Sequence, residues 1–413
     1  MRRRVVVTGL GAITPIGNSV NSFWNSIKEG KNGIDKITTF DTTDFKVKLA
    51  AEVKNFNPEE YLGKKDARRL DRFLQFALIS AKECIKDSNI DLDSVDRERI
   101  GVIYSSGIGG IKTLETQMTN LIHKGPSRVS PLAIPTLISN MAAGSIAIEF
   151  GILGSCLSIT TACASSTHAI GEAYRSIKDG YLDRAIVGGS EASICRFAIA
   201  GFQSMTALSK SEEVNRASIP FDKDRNGFVM GEGAGALLIE DLENAIARGA
   251  KIYGEIIGYG TTCDAYHITS PKLDGDGAYR CMKNAINDAK ISLDKIDYIN
   301  AHGTSTELND KIETIAIKNT FGDENKNIYV SSTKSMTGHL LGAAGAIEAI
   351  VSIKALEEGF VPATINYVNY DEECDLNLVV NKGKKAEIKY VMSNSLGFGG
   401  HNGALIFKKW EGK

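Results

Sequence analysis

The sequence predicts an α/β protein made of two similar, tightly packed halves, and three observations carry that prediction. Short β-rich runs alternate with helical patterns along the chain. No low-complexity linker interrupts them, so any two units must pack closely together. A short echo also recurs: EAYRSIK at 172–178 and EAIVSIK at 348–354 agree at five of seven positions, 176 residues apart (348 − 172).

The expected strands are 5–7, 101–104, 185–187, 237–239, 252–257, 328–331 and 404–407, each a short run rich in Val, Ile and Leu. The expected helices are 71–87, 167–178, 277–289 and 345–357. Both echo segments are followed by a glycine that suits a helix stop, Gly180 and Gly359. The halves are expected at 1–250 and 251–413. The same offset carries Cys163 onto residue 339, which is His339, so the two are expected at equivalent helix entrances.

Composition excludes several classes. Hydrophobic residues make up 43% and charged residues 24%, ordinary for a globular chain. The formal net charge of −2 provides no basic field for nucleic acid. Seven cysteines without a CxxC pair argue against a disulfide framework or structural zinc, and for a reducing, cytoplasmic setting. The N-terminal MRRRVVVTGLGAITPIG does not suit a signal peptide, and no apolar run is long enough to span a membrane.

Residues 156–161 read as a buried strand that turns at ACASS (162–166) into the helix carrying Ala169, Ile170, Ala173, Tyr174 and Ile177. Cys163 therefore faces a helix N-terminus, whose free N–H groups favour the reactive thiolate. From this turn alone, a nucleophile and a buried inert cysteine remain equally open, and the inert reading is preferred for the other six. His302 lies in NAHGTST (300–306) and His339 in KSMTGHLLGAAG (334–345), both small-residue loops at element ends. A neutral imidazole there can donate to an enolate or accept a proton, although two backbone-bonded loop histidines remain the bland alternative. No metal is expected, because HxxxH and HExxH pairs are absent. Gly9-Leu-Gly11 lacks the third glycine of a dinucleotide loop, and GEGAG (231–235) leads into a strand, so close packing explains both better.

Together the cysteine turn and the two histidine loops resemble the β-ketoacyl synthases, the decarboxylating condensing enzymes with the thiolase fold. The resemblance covers almost the whole chain: VVVTGLGAITP (5–15), TACASS (161–166), PFDKDRNGF (220–228), DAYHITSP (264–271), both histidine loops and SNSLGFGG (393–400). It implies a five-layered αβαβα core and a Cys163–His302–His339 triad that marks the elongating branch. YSSGIGG (104–110) is similar to the long-chain, type II enzymes, with Ile108 at the acyl-pocket gate. The resemblance further implies Lys334, Glu313 and Asp310 as ionic support, and backbone N–H groups of Cys163 and Phe398 as oxyanion hole, Phe398 doubling as a gate. Thr304, Thr306 and Thr269 match pantetheine or malonyl contacts. Lys65, Arg68 and Arg69, with Arg128, match positions that dock an acyl carrier protein. No cofactor is implied, and a homodimer is. A polyketide-type ketosynthase and a thiolase-like acyltransferase stand as alternatives. Glu307, Leu396 and His401 depart from the family pattern, which commonly has proline, phenylalanine and threonine there.

Overall fold

The computed structural model describes residues 3–412. One large mixed sheet contains two sets of five strands. The first set is β1 (Val5–Ile13), β2 (Ile100–Ser105), β3 (Cys156–Leu157), β4 (Arg184–Glu191) and β5 (Gly233–Asp241). The second is β6 (Gly254–Cys263), β7 (Tyr298–Asn300), β8 (Tyr329–Ser331), β9 (Tyr390–Gly397) and β10 (His401–Lys409). Their order across the sheet is β8-β7-β9-β10-β6-β1-β5-β4-β2-β3.

From the β6–β1 seam outwards, both sets follow one plan. In the first, β2 is parallel to β3 and β4, whereas β4–β5 and β5–β1 are antiparallel. In the second, β7 is parallel to β8 and β9, whereas β9–β10 and β10–β6 are antiparallel. The seam is an antiparallel pairing of residues 5–7 with 254–256.

The helices that matter for the site are α1 (Pro58–Arg69), α2 (Arg72–Ser88), α3 (Ile111–Lys124), α4 (Met141–Phe150), α5 (Ser165–Lys178), α6 (Asp276–Ala289), α7 (Glu307–Phe321) and α8 (Ala344–Glu358). Helices α2 and α4 cover the outer face of the first strand set, and α6 and α7 that of the second. Helices α5 and α8 lie between the sets, with α8 buried from Ala344 to Leu356. A helix apolar on every face belongs in such a central layer. The layers are thus αβαβα, as the resemblance implies.

Local chemistry explains the close layering. A side chain at Gly11 would place its Cβ 1.9 Å from the Ser80 carbonyl oxygen, and one at Gly9 2.5 Å from that of Cys84. The glycines of GLG therefore let α2 lie directly on β1. Asp71 starts α2 by accepting the Phe73 N–H at 3.1 Å, and Asn89 ends it in the left-handed conformation.

Two expectations need correction. The stretch 156–161 is a strand only at Cys156–Leu157, and both residues are exposed at the sheet edge. Only one neighbour, β2, pairs with it, so apolar composition alone does not bury it. The internal repeat is real, but its register is 179, not 176. Ala162 and Leu341 (341 − 162) take the same left-handed φ, 50° and 47°, and each opens a one-turn 3₁₀ segment that runs straight into α5 or α8. Cys163 therefore corresponds to Gly342, and His339 lies ahead of the turn. The sequence echo is three residues out of step because a buried helical face recurs at that spacing.

Candidate functional site

Cys163 sits in the turn Ala162–Ala164, 9% exposed, where the nearby backbone N–H groups of Phe398 and of Cys163 itself favour negative charge on its sulfur. The end of β9 closes over this turn: a Cβ on Gly397 would lie 2.7 Å from the Thr161 carbonyl oxygen. Burial pushes the Cys163 thiol up to about 12, partly offset by the Lys334 ammonium. The helix entrance therefore does not by itself produce a resting thiolate, contrary to the sequence expectation. Its N–H groups are arranged to hold negative charge once it forms.

His302 follows β7 and is 2% exposed. Glu313, one turn into α7 from Asp310, accepts the backbone N–H groups of His302 and Gly303, both at 2.8 Å. Asp310 accepts those of Phe221 at 2.9 Å and Ser305 at 3.1 Å. Arg225, from the PFDKDRNGF segment, donates to the carbonyls of Thr306 and Glu307 at 3.2 and 3.0 Å and pairs with Asp371. Buried charges thus clamp the loop backbone, and burial pushes the Glu313 carboxyl up to about 7.

His339 is held by its backbone: its N–H donates to Val229 at 2.7 Å, and its carbonyl accepts from Gly231 at 2.9 Å. Neither ring nitrogen has a protein partner. Its ring lies 5.3 Å from that of His302, nearly perpendicular. Suitable atoms of Cys163, His302 and His339 all fall within 4.8 Å of one another.

Lys334 links the histidines to the interior. It is 1% exposed, pairs with Glu348, and donates to the His302 carbonyl at 2.6 Å and to His302 Nδ1 at 3.4 Å. An ammonium can only donate, so Nδ1 is the acceptor and Nε2 carries the proton. Burial and the Lys334 charge hold both imidazoles well below their ordinary range, hence neutral. The same ammonium opposes a metal cation among the three side chains.

The expected ionic support is thus redistributed. Lys334 pairs with Glu348 of α8, whereas Glu313 and Asp310 hold backbone N–H groups. A carboxylate within the apolar first part of α8, AGAIEAIVSI (344–353), was the sequence signal for Glu348. Atoms of Asn300, Glu348, Ser393 and Asn394 are buried without a hydrogen-bond partner.

A cavity of about 870 Å³ opens onto the triad, lined by Cys163, His302, His339 and Phe398 together with Thr269, Thr304 and Thr306. Two of the departures, Glu307 and Leu396, line it too. Ile108 does not. It is half-buried in the apolar cluster behind Cys163, with Leu341 and Phe202. Phe398 is half-buried near Phe202, followed by Gly399 and Gly400 at φ 85° and 75°, and His401 stands beside Gly399. None of the other six cysteines reaches the cavity, and Cys156 and Cys263 are exposed, against the buried reading. Lys65, Arg68, Arg69 and Arg128 are all exposed.

Two family models match most of the chain: the beta-ketoacyl synthase N-terminal domain at residues 2–245 and the C-terminal domain at 253–368. The chain belongs to the β-ketoacyl synthase family. It is 52% identical over 409 residues to the 3-oxoacyl-[acyl-carrier-protein] synthase 2 of Staphylococcus aureus, covering 99% of both chains. To the protein of the same name from Synechocystis sp. it is 50% identical over 411 residues, again 99% of both. Among solved structures, a β-ketoacyl synthase from Burkholderia phymatum superposes with a TM-score of 0.92 at 32% identity, covering 99% of this chain and 100% of that one. A type II polyketide ketosynthase solved with its acyl-carrier protein gives 0.93 at 36% identity, with full coverage of both.

Proposed function

We propose that the chain is a 3-oxoacyl-[acyl carrier protein] synthase of the elongating, type II class, an acyltransferase that lengthens an acyl chain by decarboxylative condensation with malonyl-[acyl carrier protein]. The meeting of Cys163, His302 and His339 in one cavity carries the reading. Cys163 attacks the acyl thioester, its proton passing by a neutral imidazole to the departing carrier thiol. The N–H groups of Cys163 and Phe398 hold the tetrahedral oxyanion. Malonyl carrier then enters along Thr269, Thr304 and Thr306. Its carboxylate leaves as carbon dioxide, and the electron pair forms an enolate held by the N–H groups of His302 and His339. The enolate carbon attacks the acyl-Cys163 carbonyl. The new C–C bond displaces the thiolate, and one proton from solvent restores the thiol. Phe398 is the gate, its following glycines allowing the backbone to move.

A thiolase reading requires a second cysteine at the reaction centre, and none of the others reaches the cavity. A polyketide ketosynthase is disfavoured by the higher identity to the two synthases named above. The halves are taken as 1–250 and 251–413, the setting as cytoplasmic and free of membrane; no helix among the described residues is long and apolar enough to cross one. The working form is a homodimer joined through the open edge at β3. Exposed apolar residues surround this edge: Ile134, Ile138, Ile148, Leu153 and Leu157. The deciding experiment is intact-mass measurement after incubation with acyl carrier. Wild-type gains one acyl group and loses it on a malonyl-carrier chase, whereas Cys163→Ala gains none. Acylation at another cysteine sinks the reading.

A further inference from the structure

Glu191, the last residue of β4, has a use that the condensation chemistry leaves unassigned. It is fully buried, and no cation pairs with it among the described residues. Its charge is instead distributed over five donors. Oε2 accepts the N–H of Gly107 at 2.8 Å and that of Gly342 at 3.0 Å. Oε1 accepts the Ser106 hydroxyl at 3.0 Å, and the Ile108 N–H and Ser193 hydroxyl at 3.3 Å. A buried carboxylate without a cation is costly unless such bonds fully satisfy it, so all its partners are constrained together.

Those partners belong to two different working parts. Gly107 and Ile108 belong to the segment that the family resemblance implies for the acyl-pocket gate, and Ile108 packs in the apolar cluster that contains Cys163. Gly342 belongs to the 3₁₀ turn Leu341–Ala343, which begins two residues after His339. The two backbones already touch, since a Cβ on Gly342 would lie 2.1 Å from the Gly107 nitrogen and 2.9 Å from Glu191 Oε2. The longest of the backbone bonds goes to Ile108, the residue with the most reason to move. Glu191 also lies close enough to Cys163 to raise its thiol, so the hub adjoins the reaction centre.

We infer that Glu191 is a positioning residue coupling the acyl pocket to the decarboxylating histidine: a chain that displaces Ile108 pulls, through this one carboxylate, on the turn behind His339. The second half-reaction is thereby tuned to whether a long acyl chain is already in place. This inference rests on Ile108 bounding the acyl pocket.

The test is single-turnover release of carbon dioxide from malonyl carrier by enzyme preloaded at Cys163 with a short or a long acyl chain. Wild-type should release it faster with the long chain, by about tenfold if the coupling is of ordinary size. Glu191→Gln keeps the shape but cannot accept all three backbone N–H groups, and its long-to-short ratio should fall to about one. Should that variant not fold, Ser106→Ala removes one arm and should shrink the ratio in the same direction. A double-mutant cycle with Ile108→Val should show non-additivity. A wild-type ratio of one overturns the coupling. So does a Glu191→Gln enzyme that is uniformly slower with its ratio intact, which is what mere structural damage produces. Ile108→Phe separates the two failures. If it leaves the chain-length profile of Cys163 acylation unchanged, the acyl-pocket reading fails; if it shortens the profile while Glu191→Gln keeps the ratio, only the coupling fails.

Discussion

Lys334 shows how burial sets chemistry at a single residue. Its ammonium bonds to His302 and pairs with Glu348, and its charge lowers the proton affinity of both histidines. The imidazoles stay neutral through the physiological range, so decarboxylation should be level above about pH 6.5 and fall only in more acid solution. For stability the sign is the same. Unfolded histidines bind protons near 6.5 that the folded ones refuse, so their contribution is complete above that pH and is lost as pH falls towards the folded values. Replacing Lys334 by Met removes a cause of the depression, and the acid limb of malonyl decarboxylation should move to higher pH. The rate should fall by at least about 10²-fold, since His302 loses the donor that fixes its tautomer. The fold should lose about 3–5 kcal/mol because Glu348 is left buried and unpaired, with Glu348→Gln in the same chain restoring part of it. An unmoved acid limb in the pH–rate profile would separate Lys334 from the histidines. No recovery of melting temperature in the double variant would refute the pairing argument.

Among the elements, α5 and α8 determine where the reacting groups stand. They touch at their entrances: a Cβ on Gly345 would lie 2.0 Å from Thr167 Oγ1 and 2.8 Å from the Thr167 backbone nitrogen, and the Ala346 N–H donates to Ser166 at 2.9 Å. Glycine at 345 is therefore a condition for bringing the Cys163 turn and the His339 segment into one cavity. Gly345→Ala should destabilise the chain by about 1–3 kcal/mol through overpacking. It should also slow acylation and decarboxylation together, because both helix entrances shift. Differential scanning calorimetry and the two half-reactions check this. Loss of only one half-reaction would show that the helices do not move as a pair.

At the scale of the whole molecule, surface charge and the open sheet edge are where the proposed carrier and the proposed second copy would dock. Helix α1 breaks at Gly63 (φ 74°) and then presents Lys65, Arg68 and Arg69 to solvent, with Arg68 only 3.7 Å from Glu59 as an exposed, weak pair. On a chain of net charge −2 this local patch suits an acidic carrier. Arg68→Glu with Arg69→Glu should raise the KM for carrier-bound substrates several-fold and leave pantetheine-type substrates unaffected. Added salt should erode the wild-type preference for the carrier, with a Debye length of about 8 Å at physiological ionic strength. Equal loss on both substrate types would place the damage in the fold. The edge at β3 makes a second prediction. Leu157→Lys with Ile148→Lys replaces two exposed apolar residues, 54% and 79% accessible, and should shift the sedimenting species from dimer to monomer. An unchanged dimer mass would move the interface elsewhere.

Much of this was legible in the chain itself. Strand and helix periodicity is local, so the layered alternation could be read directly, and a repeated helix pointed to the two similar strand sets. Cys163, His302 and His339 stood out because each lies in a small-residue loop at an element end, a property of sequence neighbours alone. What the sequence left open depends on groups far apart in the chain. The repeat register of 179, the pairing of Lys334 with Glu348 rather than Glu313, and the exposure of 156–157 each follow from which surfaces meet. Burial raised the Cys163 thiol although its helix entrance argued for a thiolate, because desolvation depends on the layers closing over the turn. Glu191 reads as an ordinary acidic residue until the folded chain brings the N–H groups of Gly107 and Gly342 to one of its oxygens, Oε2, from 84 and 151 residues away. Residue identity and local periodicity specify elements and candidate chemistry; only tertiary packing decides which buried charge answers which donor.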